Sequence, residues 1–106
     1  MIACTCLVQA DLIADDVAVR LKAGLDVIAR DTFGEEAAVS WITVPAGSGF
    51  TAGEPSRASL VSMRTPGEMD EDARFAMLTQ ICDLWTMETG CHVNDVVASA
   101  ISPQTA

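Results

Sequence analysis

The sequence predicts an α/β domain in which two tandem β-α-β units build a four-stranded mixed sheet with both helices on one face. Three observations carry this. Strand-like, helix-like and strand-like patterns follow one another twice within 106 residues. The two helical patterns start about 58 residues apart and the closing strands are offset by about the same distance, which divides the chain into pseudo-repeats of about 1–53 and 56–106. Half of the residues are hydrophobic. At this length a single domain spanning 1–106 should bury roughly 60–70% of its unfolded surface, enough for a core without disulfide staples.

The elements follow in order. Met1 to Gln9 reads as a buried strand. Leu12 to Asp31 carries Val17, Leu21, Leu25 and Ile28 at helical spacing, with Asp15 and Asp16 near the N-terminal end, Arg30 near the other and Gly34 as the stop. Ala37 to Val44 is a second strand that Pro45 ends. Residues 46–55 are loop by composition, with room for a short strand or hairpin around Phe50. Ala58 to Arg64 opens the second unit and Thr65-Pro66-Gly67 turns the chain. Asp70 to Glu88 is a helix with a stripe of Phe75, Leu78, Ile81 or Cys82, and Trp85, an acidic first turn and Gly90 beyond its end. Asp95 to Ile101 is the last strand.

Each unit makes a right-handed crossover between parallel strands. With both helices on one face, the other face of the sheet has no cover from the chain itself. Yet Val39 and Trp41 point to one side of their strand while Ile42 and Val44 point to the other, and Val96 and Val97 also face opposite ways. A sheet apolar on both faces needs a second layer, and a homo-oligomer supplies it most simply.

Charge limits the partners. Six Lys and Arg stand against fifteen Asp and Glu, a formal net charge of −9. Nucleic acid is excluded as a partner because phosphate neutralisation needs clustered cations, and an anionic membrane surface is disfavoured for the same reason. No run reaches the roughly 18–20 apolar residues of a membrane span. The apolar start lacks a basic flank and meets Asp11 early, unlike a secretory signal. A cytoplasmic location follows, with the four cysteines as reduced thiols. Any pocket for an anion must draw on the few basic side chains.

Two tandem β-α-β units of this length, with Val39-Ser40-Trp41-Ile42-Thr43-Val44-Pro45-Ala46-Gly47-Ser48-Gly49-Phe50-Thr51-Ala52-Gly53 between them, resemble the tautomerase superfamily. The nearest likeness is to its chloroacrylic acid dehalogenase branch, where a Pro-Ala-Gly turn leads to an aromatic or aliphatic residue and a glycine stop. Leu7-Val8-Gln9 with Leu12, and Val96-Val97 leading to Ser102-Pro103-Gln104, are similar to the corresponding strand ends. The resemblance covers nearly the whole chain and rests on collinearity, since no single motif is diagnostic. It implies a tautomerase-like fold, a homotrimer with pockets near subunit contacts, and no cofactor. It also implies chemistry by an N-terminal proline amine, with nearby arginines holding the carboxylate of a small 2-oxo or enol acid.

The sequence departs from that pattern at its first residues. Ile2 follows Met1 where the family has proline, and a bulky second residue leaves the methionine in place, so Met1 takes the proline's position. Its primary amine replaces a secondary one. α-Amines as a class titrate just above neutrality, which leaves a neutral fraction for base work. The resemblance makes Met1 the catalytic base and Arg64, at the end of its strand, the carboxylate partner, with Arg57 and Phe50 as substrate-binding residues. Ala29 stands where the dehalogenase branch has a histidine, and that branch's C-terminal glutamate has no counterpart through Ala106. Hydration and dehalogenation are therefore disfavoured. The implied function is a tautomerase-like isomerase acting on a small anionic carbonyl or enol acid; the alternative is a non-catalytic trimeric module that kept the fold and lost the proline chemistry.

The cysteines and the single histidine suggest less. Cys4 and Cys6 alternate along a strand, Cys82 falls in a helix and Cys91-His92 follows it. Strand-borne Cys-x-Cys lacks the knuckle of a zinc site, and buried free thiols acting as small hydrophobes explain the pattern. No metal is assigned. Gly47-Ser48-Gly49 has no lysine after it and is not a phosphate loop.

Overall fold

Along the first strand burial alternates with the sequence: Ile2, Cys4, Cys6 and Val8 are buried, whereas Ala3 and Thr5 are exposed. This period of two makes one face of the strand core and leaves the other outward. In the computed structural model, which describes residues 1–51 and 53–103 with the side chains of Phe50 and Thr51 outside that description, the strand is β1, Ile2–Gln9. It is followed by α1 (Asp15–Phe33), β2 (Ala37–Val44), β3 (Gly49–Thr51), β4 (Glu54–Ser56), β5 (Ser59–Arg64), α2 (Glu71–Thr89) and β6 (Val96–Ile101), with a 3-10 turn at Val93–Asp95.

The main sheet has the order β2-β1-β5-β6. The outer pairs, β1 with β2 and β5 with β6, are parallel, and the central pair β1–β5 is antiparallel. This is the four-stranded mixed sheet of two β-α-β units that the sequence predicts. The core lies on one face, where Cys4, Cys6, Val61 and Met63 meet Leu21 and Leu25 of α1 and Met77, Ile81 and Trp85 of α2. Trp41 of β2 joins it against Trp85, with ring centroids 6.3 Å apart.

Local signals set the helix ends. Asp70 caps α2, its carboxylate accepting from the Ala73 N–H at 2.7 Å. Gly34 ends α1 at φ 73°, its N–H bonded to the Arg30 carbonyl; the left-handed conformation is the reason for glycine there. The first helix begins at Asp15, three residues later than its apolar pattern, because Asp11 takes φ 66° and turns the chain after β1. The helices approach closely where Gly24 faces Leu84, so that a Cβ at position 24 would collide with the leucine side chain. The stripe of α2 also differs from expectation. Met77, Ile81 and Trp85, four apart, are buried, whereas Phe75 is 73% exposed and Leu78 and Cys82 are half-buried.

The other sheet face is uncovered and ordered in rows. Register places Ile42, Leu7, Leu60 and Val97 side by side across all four strands. The next row is Ser40, Thr5, Ser62 and Ser99, in which the Ser62 and Ser99 hydroxyls are 2.9 Å apart. Ile42, Leu60 and Val97 are each about half exposed, at 45–51%. A stripe of large apolar side chains thus lies in the open beside a stripe of hydroxyls.

Between the units, the short β3–β4 hairpin is tied to the sheet by buried Gln9. Its side-chain amide donates to the Ser56 carbonyl at 2.5 Å and its side-chain oxygen accepts from the Gly47 N–H at 3.0 Å.

Candidate active site

The first turn of chemistry is at the start of β1. Because β1 and β2 are parallel, with Ile2 opposite Ala37, the connection that follows Gly34 must arrive beside the chain's first residue. The Ile2 N–H donates to the Glu36 carbonyl at 2.9 Å, and the Met1 ammonium donates to Glu35 Oε1 at 2.8 Å. Both partners of that ion pair are substantially exposed, so it orients the amine more than it stabilises the fold.

Alongside runs a groove of about 400 Å³ walled by Met1, Val19, Lys22, Ala23, Asp26, Glu36 and Ala37. Asp26 fixes its base, accepting from Arg30 Nε at 2.8 Å and from the Ala37 N–H at 2.9 Å. The Arg30 hydrogen bond, and then that backbone bond, hold the Asp26 carboxyl below the usual carboxylate range. Arg30 also reaches Glu36 at 3.2 Å. It is thereby engaged by two acids, and Lys22 is the side-chain cation lining the groove.

Arg64 ends β5 at the same end of the sheet. The Cys4–Met63 pairing carries Arg64 opposite Ala3, two residues from Met1 along the chain. The chain beyond is clamped: Thr65 is buried, its N–H donates to the Ile101 carbonyl at 2.9 Å, and its hydroxyl donates to the Gly67 carbonyl at 2.6 Å. Arg64 itself is exposed and forms no ion pair among the described residues. It does not wall the Met1 groove, which lies toward α1.

Arg57 and Phe50 stand at the opposite end. Arg57 precedes β5, whose first residues pair with the far end of β1, about 25 Å from Met1 at the usual rise per residue. It lines a cavity of about 250 Å³ with Leu12, Ile13, Ser59, Trp85, Thr89, His92 and Asp95 among the walls. The backbone of Phe50 pairs with Pro55 in the hairpin; its side chain lies outside the described residues. Within one protomer, then, Met1 and Arg64 lie at one end of the sheet and Arg57 at the other.

Glu35 and Lys22 escaped the sequence reading. Glu35 had a usable signal: an acid directly after a helix-stopping glycine, at the entrance to a strand parallel to the first. Lys22 had none beyond its charge, since its place in α1 suits any solvent-facing residue.

Cys6 and Cys82 are poor nucleophiles, whereas the Cys6 hydrogen bond lowers the Cys4 thiol pKa. Cys4 and Cys6 are buried side by side under the helices. Interaction with Cys4, and then burial, push the Cys6 thiol above the ordinary range, and burial does the same to Cys82. Among the described residues no three of His, Cys, Asp and Glu converge as a metal site.

Solved structures share this architecture throughout. Native Ps01740 superposes with a TM-score of 0.88 at 20% identity, covering 97% of this chain and 95% of the other. A fused 4-OT wild-type symmetric trimer gives 0.84 at 12% identity, covering 95% and 85%. N1, a member of the cis-3-chloroacrylic acid dehalogenase family, gives 0.83 at 16% identity, covering 95% and 74%. The fold is that of the tautomerase superfamily. No family model and no curated protein matches the sequence.

Proposed function

We propose that the protein is a tautomerase-like isomerase acting on a small 2-oxo or enol carboxylic acid. The observation that carries this reading is the Met1 amine, held by Glu35 at the sheet end where Arg64 stands without an acidic partner. In the enol-to-keto direction the neutral amine takes the enol O–H proton and the ammonium so formed delivers a proton to carbon, so the base is regenerated. Arg64 holds the substrate carboxylate. Glu35 orients the amine through its 2.8 Å contact.

The site is open in one protomer, with Arg64 on the uncovered sheet face and the groove toward α1. A homotrimer would cover that face and wall the space between them, as the trimeric 4-OT assembly on this fold supports. On this reading the reaction takes place at a contact between subunits.

The same ion pair favours a second reading. An ammonium kept by Glu35 is a cation for binding anions and not a base, which describes a non-catalytic trimeric module. Turnover of phenylenolpyruvate separates the two. The isomerase reading expects activity from the native protein that falls at least about a hundredfold on acetylation of the Met1 amine. Inactive native protein leaves the module. Activity indifferent to acetylation removes Met1 from the mechanism.

A further inference from the structure

Within one protomer the cavity at the Arg57 end lies apart from the Met1 amine. Its walls offer an excess of donors. Trp85 is 1% exposed, and its indole Nε1–H has no hydrogen-bond partner among the described residues. His92 Nδ1 accepts from the Asn94 N–H at 3.1 Å, which leaves the proton of the neutral ring on Nε2 as a donor. Arg57 is in no ion pair among the described residues, although the protein carries fifteen acids. Thr89 is already committed, donating to the Trp85 carbonyl at 2.6 Å and accepting from the Cys91 N–H at 3.1 Å. Leu12 and Ile13 add an apolar wall, and Asp95 is the one acid.

We infer that this cavity is a second ligand site, which takes a small monocarboxylate with a short apolar body. The carboxylate oxygens accept from Arg57 and His92, and the apolar body lies against Leu12, Ile13 and the ring of Trp85. Asp95 selects against dianions by like-charge repulsion. A cavity of about 250 Å³ admits only a few carbon atoms beyond the carboxylate. The site stands at the opposite end of β1 from Met1 and does not depend on catalysis there.

The probe is isovalerate, followed by the indole N–H resonances of the two tryptophans, with Trp41→Phe to assign them. Isovalerate is expected to shift the Trp85 resonance saturably in the millimolar range, and isovaleramide to bind at least tenfold more weakly. Arg57→Gln, at an exposed position, should weaken isovalerate at least tenfold with an unchanged fold. Acetylation of Met1 should leave binding as it was. The proposal is overturned by an unmoved Trp85 resonance, by equal binding of the amide, by affinity that survives Arg57→Gln, or by loss of binding on Met1 acetylation. The last outcome would assign the effect to the Met1 site.

Discussion

Glu35 is a single carboxylate whose loss should separate position from charge. Glu35→Gln keeps a hydrogen-bond acceptor for the Met1 amine at 2.8 Å, whereas Glu35→Ala removes it. If Glu35 positions the base, phenylenolpyruvate turnover should change by less than about tenfold in the glutamine variant and fall at least about tenfold in the alanine variant. Equal turnover in the two variants would show that Glu35 is only a surface partner. Arg64 makes the complementary prediction. Arg64→Gln should raise KM by about ten- to a hundredfold, as expected for a lost charge-assisted carboxylate contact, with a melting temperature close to that of the parent. Residues of this kind were half legible in the sequence. Arg64 could be singled out because the basic residues are few, whereas its partner across the sheet required the register of β1 against β5. Arg57 was legible as a cation at a strand entrance, but the antiparallel central pair puts that entrance at the other end of the sheet.

Elements were more legible than sites because local chemistry fixes their ends. Gly34, Pro45, the Thr65-Pro66-Gly67 turn and Gly90 all mark boundaries that short-range signals give. The second helix shows the limit. Spacing alone allowed Phe75 on the inner face, yet the fully buried line is Met77, Ile81 and Trp85, with Leu78 packed at its edge. Apolar residues surround much of α2, so the choice of face falls to packing against α1 and β6. The cap of this helix is a direct test. Asp70→Ala removes the acceptor for the Ala73 N–H and should cost about 1 kcal/mol. That corresponds to about 4–8 °C in the melting temperature of a domain this size, read by circular dichroism. A drop under 1 °C would show that the cap is dispensable.

For the whole molecule the decisive surface is the open sheet face. Its apolar row of Ile42, Leu7, Leu60 and Val97 is continuous across the strands, and contiguous apolar surface of this kind marks an interaction site. Leu60→Glu would place a charge in the middle of that row. In an assembly covered there, the unpaired charge should dissociate the subunits and shift sedimentation from trimer to monomer, while circular dichroism stays native. A parent protein that sediments as a monomer would remove both the assembly and the closed Met1 site. Among the described residues no helix is long and apolar enough to cross a membrane.

The antiparallel pairing of β1 with β5 has a consequence for how many places the fold offers for chemistry. It relates the two β-α-β units by a near two-fold axis through the middle of the sheet, so whatever lies at the start of one unit has a geometric twin at the start of the other. The Met1 groove is bounded by a strand start, a helix flank and the entrance to the parallel partner strand. The Arg57 cavity is bounded by the start of β5, the last turns of α2 and the entrance to β6, with Leu12 and Ile13 of the first unit added. They lie at corresponding ends of the two units, one with an amine and one with a guanidinium. A ring of three chains would then carry two sets of three sites, one on each rim, each open to its own selection.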